Sequence, residues 1–406
     1  MNDITPAPAA QRTASTRLTI LLCFIVALLE GVDIQSSGIA GPGIAAHFGL
    51  DKVQLGWVFS ASIVGLLPGA FLGGLLADRI GRKRVLTAAV ALFGLFSLAT
   101  TQSWNLDSLL AARFMTGLGL GAALPNLIAL TSESAGSARR ATAVSLMYCG
   151  VPLGGALASL AGMSAGAEHW QLVFHIGGWA PLLVAPLLYL RLPESRAYQR
   201  PAGDGQRIGV YQGLFRSGQA LPTLLLWLSC FFTLMVVYML LNWLPSLLMG
   251  QGFSRIQAGS VQLLLNLGMA LGSVLAGVLL DRWRPTLLVA LIYTGILLAL
   301  AGLGSLDGFT SMLLVGFAAG FFVLAAQLVL YALAPQFYPA GIRATGVGSA
   351  VAVGRLGSIG GPLLAGQMLA SGAGASGLMT VAAPGIVVAA AGIILLLRHR
   401  PANQND

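Results

Sequence analysis

Charge is what this chain has least of. Asp, Glu, Lys and Arg make up 9% of its 406 residues, against roughly 25% in soluble domains. So few charges cannot cover a soluble surface of this size, and with 56% hydrophobic residues the soluble class is excluded. Cysteine is also scarce: Cys23, Cys149 and Cys230 lie in three separate apolar runs, an odd number that argues against a disulfide framework. Four histidines, His47, His169, His175 and His399, have no metal-ligand spacing, so neither a metal nor a cofactor is expected. The net charge of +9 forms no contiguous basic patch with interleaved aromatics, which excludes a nucleic-acid surface.

Apolar sequence is what the chain has in quantity. Runs of about 20 residues, enough to cross a bilayer core, mark twelve helical spans near 18–40, 54–77, 84–103, 106–131, 140–163, 170–192, 220–249, 256–280, 286–304, 308–333, 343–370 and 377–398. The expected fold is therefore all-α and polytopic. Of the 22 Lys and Arg, Lys52 and Arg255 fall in one set of loops, Arg113 and Arg355 inside spans, and the remaining 18 at the termini, the alternate loops and the adjoining span ends. That asymmetry predicts that both termini and the basic loops are cytoplasmic. Residues 1–17 are polar, with two arginines and no small-residue cleavage site after them, so span 1 is expected to be retained rather than removed as a signal peptide.

The polar stretch 193–218, with Arg196, Arg200, Arg207 and Arg216, divides the chain into expected six-span bundles at 1–192 and 219–406. GLLADRIGRKR from Gly74 matches GVLLDRWRP from Gly277, and RATAVS from Arg140 matches RATGVGS from Arg343; both matches are spaced by 203 residues. Six spans per half give both halves one orientation, the parallel repeat of a rocking carrier with its site at the midplane. Gly65, Gly69 and Gly73 in span 2 and Gly117 and Gly121 in span 4 form four-residue stripes that permit close helix approach. With no strand before Gly117, a dinucleotide loop is excluded.

Four charged residues lie well inside spans: Glu30, Asp33, Arg113 and Arg355. Each costs about 2.5–3.5 kcal/mol at the bilayer centre; mutual neutralisation is the plainer explanation, function the sharper one. Glu30 and Asp33 share a face of span 1. Glu30 and Arg355 are each twelve residues into spans that begin on the same side, about 18 Å deep, so Glu30 is expected to face Arg355 and Asp33 to face Arg113. Arginine stays cationic when buried and offers a bidentate fork to a carboxylate, whereas a carboxyl group can take up a proton. Glu30 and Asp33 are thus proton-carrier candidates, and Arg113 and Arg355 anion clamps. A proton moving with a monoanion keeps the cycle electroneutral against the membrane potential.

In the second half Tyr238 with Asn242, Gln262 with Asn266, and Gln327 with Tyr331 pair at four-residue spacing. Tyr238, Asn242, Gln327 and Tyr331 are substrate-binding candidates; helix-to-helix bonding is the alternative for all three pairs. Trp243, Phe321 and Phe322 are either ring-stacking partners or simple packing. Gly74, Asp78, Arg79 and Arg82, with the repeats Asp281 and Arg282, are read as a gate, or else as charges that fix topology. An enzyme would need a nucleophile–base or metal cluster, and none is visible.

GLLADRIGRKRVL at 74–86 resembles the signature loop of the major facilitator superfamily, in which the equivalents of Gly74, Asp78, Arg79 and Arg82 control interconversion. RFMTGLGLGAALPN from Arg113 resembles its span-4 motif, whose arginine is linked to proton coupling, and LPESR at 192–196 the end of span 6 in the sugar and aromatic-acid branches. The sugar-branch motif after span 12 is absent, where the chain reads RHRPAN. EGVD at 30–33 is similar to the D-G-x-D signature of the aromatic acid:proton symporters, whose two acids are needed for transport; here Glu30 replaces the first Asp. Runs at 117–133, 143–158, 236–245 and 342–366 extend the likeness over essentially the whole chain. The resemblance implies a proton symporter of a bacterial inner membrane, functional as a monomer, for a phenylpropanoid such as 3-(3-hydroxyphenyl)propionate. Another organic anion, a sugar or a drug is the alternative substrate.

Overall fold

The computed structural model describes residues 9–135, 140–164, 167–194, 214–215, 219–338 and 342–398. Among them twelve helices are long and apolar enough to cross a membrane: Thr16–Phe48, Lys52–Ile80, Arg82–Thr101, Leu106–Ala135, Thr142–Ser164, Leu172–Arg191, Ala220–Gly250, Arg255–Leu280, Pro285–Ser305, Phe309–Phe337, Thr345–Ala370 and Gly374–Arg398. They are called spans 1–12. Most of the stretch expected to separate the halves, 193–218, lies outside the described residues. Helices are the open-ended way to satisfy every backbone group in lipid, and the short joints between them leave little else.

The helix of span 1 continues to Phe48, beyond the expected end at 40, through GIAGPGIAAHF. Small apolar residues there offer no breaking signal except Pro42, which an intramembrane helix tolerates. Span 5 is interrupted at Cys149, between helices Arg140–Tyr148 and Gly150–Ser164. Spans 2 and 8 begin alike: Asp51 and Ser254 are N-caps, each in a capping box with Gln54 or Gln257. A side chain and the third-residue amide thus satisfy orphan N–H groups reciprocally. Spans 2 and 3 are joined through Gly81 alone, at φ 97°, a conformation side chains rarely adopt.

Span 1 begins and span 12 ends on one side, here called the near face; the opposite side is the far face. Span 2 packs along span 4, span 1 along span 5 and span 3 along span 6, and spans 8 and 10, 7 and 11, and 9 and 12 repeat those pairings. The repeat reaches the atoms. Gly65 and Gly69 abut the carbonyls of Phe114 and Leu118, while Gly268 and Gly272, 203 residues on, abut those of Phe317 and Phe321. The two sets of six meet where span 2 crosses span 11, span 5 crosses span 8 and span 1 crosses span 7.

Candidate functional site

A narrow cavity with about 30 Å³ of free space lies between the two sets, lined from spans 1, 5, 7, 8, 10 and 11. Glu30, Gln35, Tyr148, Tyr238, Gln327 and Arg355 supply its polar lining; Ile34, Val151, Pro152, Val237, Leu241, Met269 and Leu324 supply the apolar remainder. Arg355 Nη1 donates to Tyr238 Oη at 2.7 Å, and the guanidinium carbon lies 5.9 Å from the Tyr238 ring centre. One nitrogen of the fork is occupied in this way, while the fork itself still borders the cavity.

Glu30 and Arg355 face the same space from opposite halves, and no ion pair within 4.0 Å joins them. Glu30 Oε2 is buried without a hydrogen-bond partner. Such an atom is costly unless something polar reaches it. Tyr331, expected as a binding residue, is absent from the lining, its hydroxyl buried. The site therefore offers one fixed cation, one acid with an open oxygen, and two phenols, Tyr148 and Tyr238, around an apolar slot.

The other intramembrane pair is elsewhere. Arg113 Nη1 donates to Asp33 Oδ1 at 2.7 Å with both side chains fully buried, and the guanidinium stacks 5.2 Å from the ring centre of Phe174. This pair joins spans 1, 4 and 6 and is absent from the cavity lining. Arg113, expected as a substrate clamp, thus lies outside this lining, its fork turned into its own half, onto Asp33. Asp33 Oδ2 and Arg113 Nε have no partner.

Other expectations separate in the same way. Asn242, expected as a binding residue, is buried outside the lining, its amide donating to Tyr238 O of its own helix at 2.8 Å. Gln262 and Asn266 bond the halves together. Asn266 Nδ2 donates to Gln35 Oε1 at 2.7 Å, Gln35 Nε2 donates back to Asn266 Oδ1 at 2.5 Å, and Gln262 Nε2 donates to Gln35 Oε1 at 3.1 Å. Trp243 packs edge-on to Phe59 at 5.1 Å and donates to Pro362 O. Phe321 and Phe322 pack against each other.

Sequence reasoning passed over Tyr148 and Gln35. Tyr148 precedes the break in span 5, which nothing in the local sequence marks. Gln35 and Tyr238 are spaced by 203 residues, as are Ile34 and Val237, and Pro152 and Arg355. Matched positions of the two halves thus line one cavity, and the repeat spacing could have selected them.

At the near face Asp78, Arg79 and Arg282 are exposed and Gly74 is half-buried, while the side chain of Asp281 lies outside the described residues. Arg82 pairs with Glu133 at the end of span 4, and Glu194 Oε1 accepts from Lys83 N at 3.1 Å. Glu133 and Glu194 were not singled out from sequence. A Cβ added to Gly74 or Gly277 would meet nothing within 4 Å among the described residues.

The profile of the Major Facilitator Superfamily matches residues 23–329 and 252–406. The chain is 56% identical to the 3-(3-hydroxy-phenyl)propionate transporter of Escherichia coli, covering 98% of each chain. It is 35% identical to the 4-hydroxybenzoate transporter PcaK of Pseudomonas aeruginosa, over 94% of this chain and 93% of that one. The inward open structure of the xylose transporter XylE from E. coli superposes with a TM-score of 0.75 over 96% of this chain and 98% of that one, at 17% identity, a likeness of fold alone. Twelve membrane-length helices in two repeated sets, a cavity on the axis between them and these relatives lead to one conclusion: the chain is a multi-pass membrane protein and belongs to the major facilitator superfamily.

Proposed function

We propose that this carrier takes up an aromatic monocarboxylate, foremost 3-(3-hydroxyphenyl)propionate, together with a proton, by alternating access. The observation that carries the reading is the Arg355 fork held by Tyr238 in a cavity that also contains the open oxygen of Glu30. The substrate carboxylate bridges to Arg355 as a charge-assisted pair. The ring lies along Val237, Leu241, Met269 and Leu324, and the phenolic hydroxyl finds an amide such as Gln327 or Gln35. The 3-(3-hydroxy-phenyl)propionate relative and the 4-hydroxybenzoate relative are both named for ring-bearing carboxylates, which favours the same class here.

Charge balance gives Glu30 the proton. An empty cavity with Glu30 ionised and Arg355 cationic is neutral; a bound monoanion adds one negative charge, which protonation of Glu30 removes. Asp33, locked on Arg113, supports that half and lies one helical turn from Glu30.

The near face is taken as cytoplasmic, because the basic loops and span ends lie there, in the inner membrane of a bacterium. The carrier works as a monomer, each half forming one bundle. In the state described, Lys52 and Arg255 tie the halves at the far face by hydrogen bonds to Leu369 O and Gly162 O, and the proposed cycle opens the cavity from the near face. Gly56 lies against Pro362 O of span 11 at the far end of span 2, and Gly74 is 18 residues further, five full turns, on the same helix face. Gly259 and Gly277 repeat that arrangement in span 8. The open space at Gly74 and Gly277 is where spans 11 and 5 come to rest once the near face closes, with Asp78 and Arg79 at that joint.

Uptake of labelled 3-(3-hydroxyphenyl)propionate into proteoliposomes, with and without an acid-outside gradient, tests the proposal. Gradient-driven accumulation collapsed by a protonophore is expected. Accumulation indifferent to the gradient would remove the proton, and its absence would remove the substrate.

A further inference from the structure

The far face has two basic residues in its loops, and both sit where helix physics disfavours them. Lys52 and Arg255 are the first residues of spans 2 and 8, directly after the N-caps Asp51 and Ser254. A cation there opposes the positive end of the helix dipole. The two are also matched by the 203-residue repeat, inside DKVQLG at 51–56 and SRIQAG at 254–259.

Each reaches across to the other half. Lys52 Nζ donates to Leu369 O at 3.1 Å, in the last turn of span 11. Arg255 Nε donates to Gly162 O at 3.1 Å, in the last turn of span 5. Both targets are carbonyls at the negative end of a helix, where a cation is favoured. The glycine four residues on permits the approach: Gly56 meets Pro362 O, and Gly259 meets the side chain of Met163. A repeated unit of cap, cation and glycine therefore closes the span 2–span 11 and span 5–span 8 crossings in the same way.

We propose that Lys52 and Arg255 are paired gate residues of the transport cycle. They clasp the C-terminal ends of spans 11 and 5 while the far face is shut, and must let go before substrate can enter from that side. Inherited once and duplicated with the repeat, the unit makes the two crossings release under the same condition. The inference rests on the alternating-access reading, but its test does not depend on the substrate.

Spin labels at Gln102→Cys and Ser305→Cys, exposed far-face positions matched by the repeat, report separation of the halves by electron–electron distance measurement on the full-length protein in nanodiscs. The native cysteines are buried. Lys52→Gln or Arg255→Gln is expected to raise the long-distance population about threefold, and the double variant about tenfold, as for loss of one and two intramembrane hydrogen bonds. Lys52→Arg with Arg255→Lys should keep the original distribution, which a merely structural disturbance would not. An unchanged distribution in the double glutamine variant overturns the clasp, as does equal opening in the charge-preserving pair. Variants that open as expected, while the wild-type protein transports no aromatic acid, would instead count against the substrate.

Discussion

Arg355 is the residue on which the site turns, because it is the cavity's fixed cation and its partner Tyr238 orients it without neutralising it. Arg355→Ala is expected to weaken binding of the aromatic acid by about 10- to 100-fold, the worth of a hydrogen bond to a charged group, while insertion stays normal. Arg355→Lys should recover little, since a point charge cannot reproduce a planar fork. Equilibrium binding to purified protein checks both, and near-normal affinity in the alanine variant would dismiss the clamp. Asp33 and Arg113 carry the same formal charges with a different consequence. Buried on each other, they resemble an ion pair whose disruption leaves an uncompensated charge.

At the scale of the helix, the glycines sort by what lies beside them. A side chain at Gly65 or Gly268 would meet the carbonyl of Phe114 or Phe317, whereas one begun at Gly74 or Gly277 meets nothing within 4 Å among the described residues. Gly65→Leu and Gly268→Leu are therefore expected to destabilise the protein by about 1–3 kcal/mol, as overpacked cores do, and to unfold earlier on heating in detergent. Gly74→Leu and Gly277→Leu should leave that melting unchanged yet slow uptake, because they fill the space into which spans 11 and 5 must move. Equal thermal loss in all four would deny the near-face closure.

Helices, repeat and charged pairs were legible in sequence because their signals are periodic or rare: apolar length, a spacing of 203 residues, four charges in lipid. The equal depths of Glu30 and Arg355 led to a common cavity, and the remaining acid and base, Asp33 and Arg113, to an ion pair. What spacing cannot give is direction around a span that is apolar on every face. Asn242 shares a face with Tyr238 yet bonds its own backbone, and Arg113 looks equivalent to Arg355 until span 6 and Asp33 enclose it. Tyr148 was hidden because Gly150 and Pro152, which follow the break in span 5, look no different from the glycines and prolines that unbroken spans carry, such as Gly65 and Pro68.

For the whole molecule, the pseudo-twofold relation has its largest effect where it is violated. Gln35 answers Tyr238 and Pro152 answers Arg355 across the axis. Two identical halves would present two guanidinium groups to a single ligand and so welcome a molecule charged at both ends. Divergence at one matched position turns that into a polar compass, which accepts an acid only head-first. Pro152→Arg should restore the lost pole. Competition binding is then expected to rank an aromatic dicarboxylate above the monocarboxylate, the reverse of the native order; an unaltered order would mean that the heading is set elsewhere. Selectivity in such a carrier is a measure of how far its two halves have stopped being copies.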